Sequence, residues 1–228
     1  MPSSKIIVDF WLDLASVDCY LALNSFRQAL ARLPERDRFT LALHPFLTQH
    51  TGTTTVGEEV ATRTPGPDRL DRESAEAAAR AAGITLDWDA ELPTQTTEAH
   101  RLLLWAQQSE AEVSGGSAES LSVRLAEALL RSAFELGANL ASPELLIGVA
   151  QDFNLPGAEV ARALTDEVLA AEVEEANQLA LYLGVQQTPV LLFDDTFVVQ
   201  GYQTPEAFTN ILRTVVQQAE AAEGNTND

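Results

Sequence analysis

The chain has 228 residues, enough for one large domain or a smaller domain with a big insertion. Hydrophobic residues make up 46% of it, ordinary for a packed core, and 34 acidic against 14 basic residues give a formal net charge of −20. This charge excludes the basic footprint that nucleic acid needs and opposes an anionic membrane surface, so neither partner is expected.

In chain order, Lys5 to Leu12 is apolar and rich in β-branched and aromatic residues, the pattern of a buried strand. The segment Asp13-Leu14-Ala15-Ser16-Val17-Asp18-Cys19-Tyr20 leads into a helix from Val17 to about Arg32, closed by Pro34. Its apolar face carries Tyr20, Leu23, Phe26, Leu30 and Leu33. Phe39 to His44 alternates as a second strand, ended by Pro45, and a right-handed crossover makes the two strands parallel. The stretch from Thr51 to Asp71 reads as loop, as does Val113 to Gly116.

Helices are expected over Arg72–Ala82, Thr97–Gln108 and Ser117–Leu136. Three more are expected from Ser142 to near Phe153, over Pro156–Leu164 and over Thr165–Leu183. Val190–Phe193 and Phe197–Gln200 form a hairpin around Asp194-Asp195. Thr204 caps a last helix with Pro205 at its first position, running to about Ala219 before a polar tail expected to fray.

The fold class is therefore α/β, a split βαβ and ββα with a large helical insertion. The expected division is 1–48 with 184–220 as one domain, 49–183 as the insertion, and 221–228 as a flexible tail. The first residues show no basic segment followed by an apolar one, and no run approaches the ~18 apolar residues that cross a bilayer. With a single cysteine, the expectation is a reducing cytoplasm.

A strand feeding a helix N-terminus through C-x-x-C is the thioredoxin arrangement. Here the pattern is Ser16-x-x-Cys19, and Cys19 is the only cysteine, so no internal disulfide can form. The order of elements resembles the DsbA family of thioredoxin-fold proteins. Three segments resemble its FrnE-like branch: Asp13 to Tyr20 with the first Cys replaced by Ser, Leu92 to Leu103 with Thr96-Thr97-Glu98-Ala99-His100-Arg101-Leu102 within it, and Leu183-Gly184-Val185-Gln186-Gln187-Thr188-Pro189-Val190. Gly201-Tyr202-Gln203-Thr204-Pro205-Glu206-Ala207-Phe208 resembles a fourth stretch of that branch. Kappa-class glutathione transferases and 2-hydroxychromene-2-carboxylate isomerases are similar in fold and carry Ser at the first position. This chain resembles them at Ser16 alone.

The resemblance implies a thiol-disulfide oxidoreductase or isomerase, or a glutathione-dependent transferase or isomerase. It implies Ser16 and Cys19 as the catalytic pair, with Asp18, Thr188, Pro189 and His100 binding a thiol or peptide-like ligand. It places a cis proline at Pro189. No cofactor is required, glutathione is a candidate co-substrate, and a homodimer is an open alternative.

Each residue also has a plainer reading. Ser16 is a favoured N-cap, and Cys19 one turn into the helix is a small buried hydrophobe. Asp18 suits a first helical turn but repels a bound thiolate. His100 and His44 are expected as core histidines, and Glu58-Glu59 as solvated surface. The three histidines and one cysteine have no metal-ligand spacing, and no G-x-S-x-G, P-loop or dinucleotide fingerprint occurs. The competing function is a non-catalytic ligand-binding protein that keeps the groove.

Overall fold

In the computed structural model, residues 4–48, 53–62, 69–114 and 119–225 are described. Strand β1 (Ile6–Leu12) leads to helix α1 (Val17–Ala31), a short 3-10 turn (Arg36–Arg38) and β2 (Phe39–Pro45). Helices α2 (Val56–Thr62), α3 (Arg72–Ala82), α4 (Thr97–Ser114) and α5 (Leu121–Leu136) follow. Then come α6 (Pro143–Asp152), α7 (Gly157–Leu164), α8 (Glu167–Tyr182), β3 (Val190–Phe193), β4 (Phe197–Gln200) and α9 (Pro205–Asn225).

The sheet order is β2-β1-β3-β4. β1 pairs parallel with β2, starting at Ile6 opposite Phe39, and antiparallel with β3, with Val8 opposite Phe193. The hairpin turns at Asp194 and Asp195, both at positive φ. This is the expected split βαβ and ββα, with α2 to α8 inserted between the halves.

Helix α1 explains why the halves and the insertion cohere. Val17, Cys19, Leu21, Leu23, Phe26 and Leu30 are buried on different sides of it, as in a helix enclosed all round. It packs on α9 within the thioredoxin unit and on α3 and α5 of the insertion. Phe26 meets Phe208 edge-on at 5.5 Å between ring centroids and lies 6.4 Å from Phe193.

The edge strand β2 is covered rather than left open. Gln107 of α4 accepts from the Leu43 N–H at 2.8 Å and donates back to the Leu43 carbonyl at 3.3 Å. A side-chain amide thus stands in for a neighbouring strand and blunts the edge. Asn177 of α8 accepts from the Leu47 N–H at 2.9 Å.

Three expectations change, the first of them in α4, which was expected to end at Gln108 ahead of a loop from Val113 and instead runs on to Ser114. The stretch from Thr51 to Asp71 is not all loop: α2 forms within it, while 49–52 and 63–68 lie outside the described residues. Thr55 and Glu58 build a reciprocal capping box, the Glu58 N–H reaching Thr55 Oγ1 at 3.2 Å and the Thr55 N–H reaching Glu58 Oε2 at 2.9 Å. Glu58 is therefore a helix-starting residue rather than mere surface charge. Gly57 lets the backbones approach closely there, since a Cβ would lie a tight 3.0 Å from the Trp88 carbonyl oxygen.

The tail assigned to 221–228 is helical through Asn225. Arg38 holds it, with ion pairs to Glu220 at 3.5 Å and Glu223 at 3.0 Å. Ser4 also donates to Glu223. Residues 226–228 lie outside the described set.

Candidate functional site

The site begins where β1 ends. The Asp13 carboxylate accepts the Ala15 N–H at 2.8 Å, and the Asp13 carbonyl accepts the Ser16 N–H at 3.1 Å. This tight Asx turn aims the chain into α1. Ser16 is extended, with φ −110 and ψ 117, and its Oγ accepts the Cys19 N–H at 3.3 Å. Ser16 is thus the N-cap, its side chain satisfying one of the orphan donors of the first turn.

Cys19 is fully buried. The Asp13 N–H approaches its Sγ at 3.5 Å. Burial and then the nearby Asp13 carboxylate push the thiol up to about 12, against the downward pull of hydrogen bonds from Thr188, the Asp13 backbone and Ser16. The charge that opposes ionisation of Cys19 is that of Asp13. The turn folds the Asp13 carboxylate back over the start of the helix, near the sulfur.

The Thr188–Pro189 bond is cis. Thr188 is buried and hydrogen bonded to Cys19, so the cis-proline loop and the N-terminus of α1 meet at the sulfur. The Pro189 carbonyl accepts the Gly201 N–H at 2.8 Å, anchoring the loop to the end of β4.

Ser16, Asp18 and Thr188 line one small cleft together with Asp13, Ala15, Thr48, Glu59 and Arg69. Its volume is about 30 Å³, room for a water or two or a single thiol head, whereas pockets that engulf a small molecule run to hundreds of Å³. Arg69 also donates to Gln187 at 3.1 Å, beside the cis-proline loop. Two larger grooves, of about 650 and 540 Å³, are lined by Arg27, Glu127 and other residues of α1 and α5, and share no residue with the cleft.

His100 is not among the cleft's lining residues. It is buried, and with His44, Leu12, Leu43 and Pro45 it lines a separate space of about 10 Å³. Its Nε2 has no hydrogen-bond partner among the described residues, and burial pushes its pKa down to about 3, leaving it neutral. His44 is only half-buried, its Nε2 2.7 Å from Asp9 Oδ1 and its ring stacked on Trp11 at 5.1 Å. Among the described residues, no group of three or more His, Cys, Asp or Glu is arranged to hold a metal ion.

Asp13, Thr48, Glu59 and Arg69 escaped the sequence reading. Asp13 lay in view at the head of the Ser16 segment. Glu59 and Arg69 belong to a stretch that shows no spacing linking it to Ser16.

The fold and this site define a thioredoxin-fold protein with serine capping helix α1 and a threonine–cis-proline loop opposite. Residues 7–213 match the model of the DSBA-like thioredoxin domain, and the chain belongs to that family. No curated protein matches the chain. Among solved structures, a probable DsbA oxidoreductase from Streptomyces coelicolor is 24% identical, with 93% of this chain and 91% of that chain covered and a TM-score of 0.73. The cytosolic disulfide reductase DsbM from Pseudomonas aeruginosa, solved with GSH, is 16% identical, with 92% and 99% covered and a TM-score of 0.63. A 2-hydroxychromene-2-carboxylate isomerase is 14% identical, with 97% and 98% covered and a TM-score of 0.61. At these identities the likeness is one of fold.

Proposed function

We propose that this member of the thiol-disulfide oxidoreductase and isomerase family works with a small thiol such as glutathione, taken from solution, in place of a second cysteine of its own. The observation that carries the reading is the position of Ser16. Its hydroxyl caps α1, where orphan N–H groups favour an anion, and shares the cleft with Thr188 before the cis proline. Turning that hydroxyl's proton from the Cys19 sulfur toward an incoming sulfur leaves its lone pair on the Cys19 N–H.

The cleft's size suits this reading, since it admits a thiol head while the rest of a tripeptide lies along the mouth. The exchange runs in two steps. The thiolate of one glutathione attacks a sulfur of the substrate disulfide, forming a mixed disulfide and releasing the other sulfur as thiolate, which takes up a proton. A second glutathione then attacks the mixed disulfide at the glutathione sulfur, releasing the reduced substrate and oxidised glutathione. Cys19 stays protonated beneath Ser16 and supports the turn.

One observation favours a second reading, a peptide- or ligand-binding protein without chemistry. The only thiol is buried and its pKa stands near 12. The test is a glutathione titration read by melting temperature. A ligand at its own dissociation constant adds about 0.4 kcal/mol, and at a hundredfold excess about 2.7 kcal/mol. A concentration-dependent rise supports the glutathione site, and none up to ~10 mM, several times a weak millimolar constant, leaves the binding module.

A further inference from the structure

Helix α8 faces the molecule with Leu169, Val173 and Ala180. On the opposite side, at helical spacing, lie Val168, Ala171, Glu175, Leu179 and Tyr182, all exposed, with Leu183 just beyond. Leu179 is 54% exposed, Tyr182 87% and Val168 66%, so this is a true outward stripe. A helix apolar on both sides is normally covered on both.

The flanking charge is of one sign. Helix α8 holds Glu167, Glu172, Glu174 and Glu175 and no Lys, Arg or His. This charge decides what can cover the stripe. In a twofold self-pairing each residue meets its counterpart in reverse order. Glu175 sits midway between Val168 and Tyr182, so an antiparallel pair of α8 helices would set Glu175 against its own copy, between chains each carrying −20. Anionic lipid is repelled by the same residues.

We propose that the outer face of α8 docks a basic amphipathic helix of a partner protein. The partner's apolar residues would pack along Val168, Leu179 and Tyr182, and its Lys or Arg side chains would meet Glu175, exposed midway along the stripe. The surface lies outside the Ser16 cleft and does not depend on how that cleft is used.

The test uses the full chain and a labelled helical peptide of about five turns, with leucines along one face and lysines elsewhere, at about 0.15 M salt. A second peptide has the same composition with its leucines scattered, and a third replaces lysine by glutamate. The first should bind saturably, and the other two should not. Leu179→Ser with Tyr182→Ser should weaken binding about tenfold or more, as for paired anchors of an interface. Glu175→Gln should weaken it and flatten its salt dependence. Leu179, Tyr182 and Glu175 all lie on the outer side of α8, and unchanged circular-dichroism melting confirms folded variants; Val168→Ser supplies an independent substitution. Equal binding of the scattered-leucine peptide, or undiminished binding by the serine variants, overturns the proposal. A wild-type dimer that the serine variants convert to monomer in sedimentation also overturns it, in favour of a second copy.

Discussion

Asp13 acts on Cys19 twice: its backbone N–H lies 3.5 Å from the sulfur, and its carboxylate raises the thiol's pKa. The residue that shapes the turn into α1 thereby also keeps the one thiol protonated. Burial contributes more than the charge, so removing Asp13 alone does not activate the sulfur.

Labelling of Cys19 follows directly. A thiol pushed from 9.0 to about 12 has roughly a thousandfold less thiolate at pH 8. Native protein should therefore react with a bulky thiol reagent at least that much more slowly than denatured protein. The folded pKa is raised, so the contribution of Cys19 to stability is complete below about 9 and is lost as pH climbs toward 12. Fast native labelling with an acidic midpoint would show an activated nucleophile.

Ser16→Cys should rebuild a dithiol, because Ser16 and Cys19 are one helical turn apart at the N-terminus of α1. Wild-type protein should fail to reduce insulin with dithiothreitol, and the variant should gain measurable turnover. Thiol counting after mild oxidation checks the geometry. Two free thiols remaining in the oxidised variant would show that the cap geometry forbids the bond.

His100 gives an acid-side signature. Its pKa falls from 6.5 to about 3, so the fold favours neutral imidazole. Its contribution to stability is complete above pH 6.5 and is lost as the pH falls toward 3. His100→Leu removes the orphaned nitrogen and should flatten this limb of the stability profile, with little cost at neutral pH. Denaturant melts between pH 3 and 8 measure it, and an unchanged acid slope would show that His100 is not its source.

Much of this was readable from the chain. Periodicity located β1, α1 and β2, and the resemblance carried by Leu183 to Val190 implied the cis proline that the structure has. Ser16 and Ser142 each cap a helix through their own side chains, so local chemistry showed where those two start, whereas α5 begins at Leu121 under Ser120 and not at Ser117 as expected. Helix α2 was hidden because it is short and lies among threonines, although Thr55 and Glu58 spelled its capping box. The length of α9 depends on Arg38, far away in the chain, and no local pattern carries such an ion pair. The cleft was half legible: Ser16, Asp18 and Thr188 come from recognisable segments, whereas Glu59 and Arg69 arrive by tertiary folding.

The two roles of Ser16 can be separated. Ser16→Ala should destabilise the fold by about 1 kcal/mol through loss of the cap, and Ser16→Asn, another good cap, by much less. Urea denaturation measures both. Equal loss in the two variants would mean that the cap contributes little.

Calorimetric titration of reduced glutathione into wild-type protein, Ser16→Ala and Ser16→Asn tests the central claim most directly. The account predicts saturable binding near ~1 mM for the wild type, weakened by roughly 0.5–1.5 kcal/mol in Ser16→Ala with the loss of one hydrogen bond. Ser16→Asn, though as stable as the wild type, should also bind less well, since its amide replaces the hydroxyl. No saturable heat from the wild type up to ~10 mM, or equal affinity in all three proteins, would contradict a glutathione site built on Ser16.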